Sequence, residues 1–85
     1  MLLNAQQVKQ AMNLDVNGVK AALEVADYEG CDIKGSRFIG LNDSSEFVYE
    51  ILYTNINGTV ESVGTGQVFI RWHEYNGQWN LVGDF

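Results

Sequence analysis

Proline is absent from the 85 residues, and only one cysteine, one histidine and five basic side chains are present. Each scarcity excludes something. The lone Cys31 has no partner for an internal disulfide, and small secreted domains usually depend on such bonds. Lys9, Lys20, Lys34, Arg37 and Arg71 are scattered along the chain against 11 acidic residues, for a net charge of −6. Binding to phosphate backbones draws on clustered Lys and Arg, so no nucleic acid and no anionic membrane is expected as a partner. No stretch approaches the roughly 20 apolar residues that span a bilayer, and Met1-Leu2-Leu3-Asn4-Ala5 has no basic segment leading into an apolar run. The expected location is therefore cytoplasmic. Without linker, repeat or low-complexity tract, residues 1–85 read as one domain.

An apolar fraction of 46% suffices for a packed core, although a chain this short buries only roughly 60–65% of its unfolded surface. The chain divides into a helical third and a strand-rich remainder. Asn4 and Gln7 have the spacing of a capping box, and Val8, Ala11 and Met12 then recur at helical intervals, which predicts a first helix over about 5–13. Asp15 caps a second helix with the stripe Val16, Val19, Ala22, Leu23 and Ala26, and Gly30 stops it. Gly18 weakens its first turn by about 1 kcal/mol relative to alanine.

After Gly30 the period changes. Asn57-Gly58 and Asn76-Gly77 are each flanked by alternating aromatic and β-branched residues, and Asn-Gly marks hairpins because both turn residues adopt positive φ. Two hairpins sharing a middle strand make a meander. Two-residue turns at both sites place Tyr53 opposite Ser62, Ile51 opposite Gly64, Tyr49 opposite Gly66 and Phe47 opposite Val68, then Trp72 opposite Leu81, Ile70 opposite Gly83 and Val68 opposite Phe85. Both registers gather the large apolar residues on one face, where a slip of one residue would disperse them. An earlier strand over about 32–41 precedes them through Asn42-Asp43-Ser44-Ser45, with its register left open. The fold class is α+β: an N-terminal helical segment packed on an antiparallel β-meander of about four strands, with Trp72 and Leu81 buried beneath the helices.

The other sheet face collects Glu46, Val48, Glu50, Leu52, Gln67, Phe69, Arg71, His73, Tyr75, Gln78, Asn80, Val82 and Asp84. Phe69 falls there between Glu46 and Asp84, with Arg71 in diagonal reach of Asp84. Apolar residues rimmed by charge have the composition of a contact surface, and the candidate protein-binding residues are Val48, Phe69, Arg71, His73 and Val82. The same set also suits a solvated sheet face. The C-terminal strand has no proline and no lysine to discourage pairing at its edge, which points to a homo-oligomer.

Chemistry-bearing motifs are few. His73 has no orienting partner that a general base requires, and Cys31 has neither a second cysteine nor a nearby histidine for zinc or nucleophilic catalysis. The acidic residues lack calcium-loop spacing, and Gly64-Thr65-Gly66 lacks the helix and lysine of a phosphate-cradling loop. No catalytic residue, metal site or cofactor is expected.

Gln7 to Leu14 followed by Val19 to Leu23 resembles a helix-turn-helix rhythm, but the segment matching its recognition helix offers only Lys20 beside Glu24. The helix, the strands and the closing Glu74-Tyr75-Asn76-Gly77-Gln78-Trp79-Asn80-Leu81-Val82 resemble cystatin-like and nuclear-transport-factor-2-like α+β domains at the level of hairpin and strand order. Those larger folds enclose a ligand cavity, and this chain lacks the acidic and histidine residues their enzymes place inside. In style, a short acidic chain is also similar to phage and mobile-element accessory proteins. The expectation is a non-enzymatic protein-interaction module, homo-oligomeric, binding a protein partner for which a basic surface suits its charge. The alternative is a small-ligand-binding domain with a cavity between helix and sheet, lined by Trp72 or Tyr49.

Overall fold

Asn4 begins the first helix as its spacing predicts: its side chain accepts from the Gln7 N–H at 2.8 Å while the Gln7 side chain accepts from the Asn4 N–H at 3.1 Å. This reciprocal pair satisfies two of the donors a helix start leaves open. In the computed structural model, which describes residues 3–25, 32–57 and 60–84, the helix α1 runs Ala5–Met12 and Asn13 is its C-cap. The second helix, α2, runs Val16–Val25, with Asp15 Oδ1 accepting from the Gly18 N–H at 2.8 Å. A side chain at Gly18 would meet Leu14 Cδ2 at 3.0 Å, so the residue that weakens the helix start also lets Leu14 fold over it. Ala26, Gly30 and Cys31 lie outside the described residues, as do Gly58, Thr59 and Phe85.

Four strands follow: β1 Asp32–Leu41, β2 Phe47–Asn57, β3 Val60–Tyr75 and β4 Gln78–Asp84. They form one antiparallel sheet in the order β1-β2-β3-β4, so the architecture is α+β with two helices on a four-stranded meander. The β3–β4 register is the predicted one, Trp72 opposite Leu81 and Ile70 opposite Gly83. Its turn has φ 52° at Asn76 and 77° at Gly77, both in the left-handed region that Asn and Gly tolerate.

The β2–β3 register corrects the prediction by two residues. Tyr53 faces Gly64, Ile51 faces Gly66, Tyr49 faces Val68 and Phe47 faces Ile70, and the pairing closes at Asn57 and Val60. A two-residue slip preserves the face of every side chain, so the predicted core survives while its pairs change. The Tyr53 ring lies over the glycines, close enough that a Cβ at Gly64 would come within 2.8 Å of its hydroxyl.

The core is Ala11, Val19, Ala22 and Leu23 of the helices against Ile33, Phe47, Tyr49, Ile51, Val68 and Ile70 of the sheet. Two polar ties fix the layers. Tyr49 Oη donates to the Ala11 carbonyl at 2.5 Å and accepts from the Leu14 N–H at 3.0 Å; the Trp72 indole N–H donates to the Gln7 carbonyl at 3.0 Å. Trp72 and Leu81 do face the helices, but both are half-buried rather than buried, since they lie toward the end of the sheet where β2 no longer runs alongside. No helix of the described residues is long and apolar enough to cross a membrane.

Candidate functional site

The open face is organised in cross-strand rows. Gly35, Leu52 and Thr65 make the first, and Arg37, Glu50 and Gln67 the second. Gly40, Val48, Phe69 and Asp84 make the third. Beyond β2 come Arg71 with Val82, then His73 with Asn80. All five candidate residues, Val48, Phe69, Arg71, His73 and Val82, therefore share one face, as strand alternation requires.

The corrected register changes their company. Phe69 lies between Val48 and Asp84, not between Glu46 and Asp84. Glu46 belongs to the β1–β2 turn: its N–H donates to Asn42 Oδ1 at 3.0 Å and its carboxylate accepts from Asn42 Nδ2 at 3.1 Å. Direct contact across the ladder thus joins Val48, which is only 9% exposed, to half-buried Phe69, with half-buried Val82 diagonal to it. Arg71 and His73 are exposed and continue the face toward the β3–β4 turn. Asp84 sits diagonal to Arg71, as predicted.

The rim carries the charge. Arg37 Nε donates to Glu50 Oε1 at 2.9 Å across β1 and β2, and the Glu50 hydrogen bond and charge raise the Arg37 pKa above its ordinary value. At the start of β1, Asp32 accepts Lys34 at 2.6 Å and Lys20 at 3.5 Å. The hydrogen bond from Lys34, then its charge, lower the Asp32 pKa. These groups are exposed, so they contribute little to stability.

Between helices and sheet there is an open groove of about 470 Å³, lined by Leu14, Ala21, Ala22, Trp72, Trp79 and Leu81 among others. Of the two aromatic residues expected to line a cavity there, Trp72 lines this groove and Tyr49 does not, and the Trp72 N–H and the Tyr49 hydroxyl both bond to helix backbone. Burial raises the Tyr49 pKa, and the Leu14 N–H partly opposes it. Among the described residues, no three His, Cys, Asp or Glu side chains form a group able to hold a metal ion.

Sequence reasoning missed a further feature. β3 has 16 residues but β4 only 7, and β4 pairs with β3 only from Phe69 onward among the described residues. The Val60–Gln67 stretch therefore has β2 on one side and, among the described residues, an unpaired second edge, beside exposed Val60 (66%) and Val63 (67%). No protein-family model, curated protein or solved structure matches the chain.

Proposed function

We propose that this chain is a non-enzymatic, homo-oligomeric protein-interaction module of the cytoplasm, binding through the open face of its sheet or through an edge strand. One observation carries the reading: Val48, Phe69 and Val82 form an apolar centre on the open face, flanked by Arg71 and His73. Contact surfaces have this arrangement, with desolvated residues at the middle and polar ones at the edge. The net charge of −6 favours a basic surface on any different protein it meets, because complementary charge speeds encounter and suppresses wrong partners. His73 faces Asn80 on an exposed stretch of the β3–β4 pair.

Sedimentation of the whole chain from about 1 to 100 µM, a range over which interfaces of modest size dissociate, tests the reading. The wild-type protein should associate within it. Val82→Lys should weaken association if the copies meet face to face, since a charge at the apolar centre must be desolvated. A wild-type chain that stays monomeric throughout removes the oligomer.

The second reading, a small ligand between helix and sheet, is favoured by one specific observation: two tryptophans, Trp72 and Trp79, line the 470 Å³ groove. Aromatic linings are common in ligand sites, but such sites also enclose most of the ligand. This groove is open, so the module remains the preferred reading.

A further inference from the structure

We propose that the edge of β3 from Val60 to Gly66, unpaired among the described residues, is where two copies of this chain join, pairing antiparallel about a two-fold axis at Val63. This rests on the homo-oligomer reading above and names its surface.

The edges of the sheet are unequally guarded. β1 interrupts its pairing at Lys34 and at Ile39 and carries the ion-paired Lys34 and Arg37; bulges and basic side chains are devices that blunt an edge. On β4, α2 lies against the inner face, where a Cβ at Gly83 would stand 2.9 Å from Leu23 Cδ2. The Val60–Gln67 stretch has no proline, no lysine and no bulge against β2. Its six non-glycine side chains are all exposed.

The occupant follows from self-complementarity. With the axis at Val63, Ser62 of one copy faces Gly64 of the other, Glu61 faces Thr65, and Val60 faces Gly66. Glu61 is the only charged side chain in the stretch, and this register opposes it to a neutral threonine, so copies each carrying −6 meet without a like-charge pair across the ladder. The two Val63 side chains meet each other, and each Val60 packs over a glycine. Paired residues of an antiparallel ladder point to the same side, so the two sheets become one of eight strands with both Phe69 faces on the same side.

The test replaces Val63, whose exposure in the single chain leaves the fold unaffected. V63K and V63E chains each bring like charges together at the axis, which is destabilising for residues directly opposite. Each should raise the dissociation constant at least about tenfold by sedimentation, and an equimolar mixture of the two should associate again, because Lys then faces Glu. Amide exchange in 60–66 of the wild type should slow as concentration rises. If the wild type associates, V63K and V63E associate as well as it does, and V82K does not, this edge is wrong and face-to-face oligomerisation stands. Variants that dissociate separately yet stay apart when mixed also overturn the register. A wild type monomeric to about 100 µM overturns the edge and the homo-oligomer together.

Discussion

At the scale of single residues, Tyr49 shows how one polar atom secures the packing of two layers. Its ring is buried, 1% exposed, against Phe38 at a centroid distance of 5.4 Å, and its hydroxyl reaches through to where α1 hands over to α2. Tyr49→Phe keeps the ring but strands the Leu14 N–H and the Ala11 carbonyl, and a buried group left without its partner costs about 1–3 kcal/mol. The midpoint of urea unfolding should fall accordingly. A pH dependence follows from the raised pKa. Above the ordinary tyrosine value of 10.0 the unfolded chain loses this proton while the folded chain keeps it, so the contribution is complete below pH 10 and declines as pH rises through the folded value. Comparing wild type and Tyr49→Phe at about pH 9 and pH 11 should show the gap between them narrowing at the higher pH. A gap that widens would contradict the burial that raises this pKa.

Among elements, α2 rests closely on β4. A methyl group at Gly83 would stand 2.9 Å from Leu23 Cδ2 and 3.4 Å from the Leu23 backbone nitrogen, so Gly83→Ala must displace the buried Leu23 side chain, an overpacking cost of about 1–3 kcal/mol. Gly40, where an added methyl group would meet nothing within 4 Å, is the control: Gly40→Ala should stay within about 0.5 kcal/mol of wild type by thermal or urea unfolding. Equal effects of the two would mean that α2 does not rest on β4. The elements also show what a sequence encodes openly. Asn4 with Gln7, Asp15 and Asn76-Gly77 act through neighbours a few residues away, and these local signals were readable. The β2–β3 register was not, because alternation is blind to a slip of two. Nor was that of β1, whose residues opposite Tyr53, Ile51, Tyr49 and Phe47 are Ile33, Ser36, Phe38 and Leu41, spaced by three, two and three; the bulges break the period on which such reading depends. The candidate face was therefore legible as a set of residues, through parity alone, while the contact of Val48 with Phe69 needed the true register. The unpaired edge of β3 among the described residues needed the observed pairing of β4.

For the molecule as a whole, shape and charge set how copies meet. The body measures 46 × 27 × 20 Å and carries −6, so two copies repel at a distance whatever their interface. At about 0.01 M salt the screening length is about 30 Å, longer than two of the three dimensions, and each copy feels nearly the full charge of the other. At about 0.15 M it is about 8 Å, and only groups near the interface still act. The β3 register opposes no like charges, so salt removes the repulsion and takes away little attraction. Self-association should therefore strengthen, the dissociation constant falling at least about fivefold between those two salt concentrations as the long-range repulsion is screened. A complex with a basic protein would move the other way, weakening as the attraction is screened. Sedimentation at the two ionic strengths separates the cases, and self-association that weakens with salt would mean that opposed charges, not neutral strand pairing, hold the copies together.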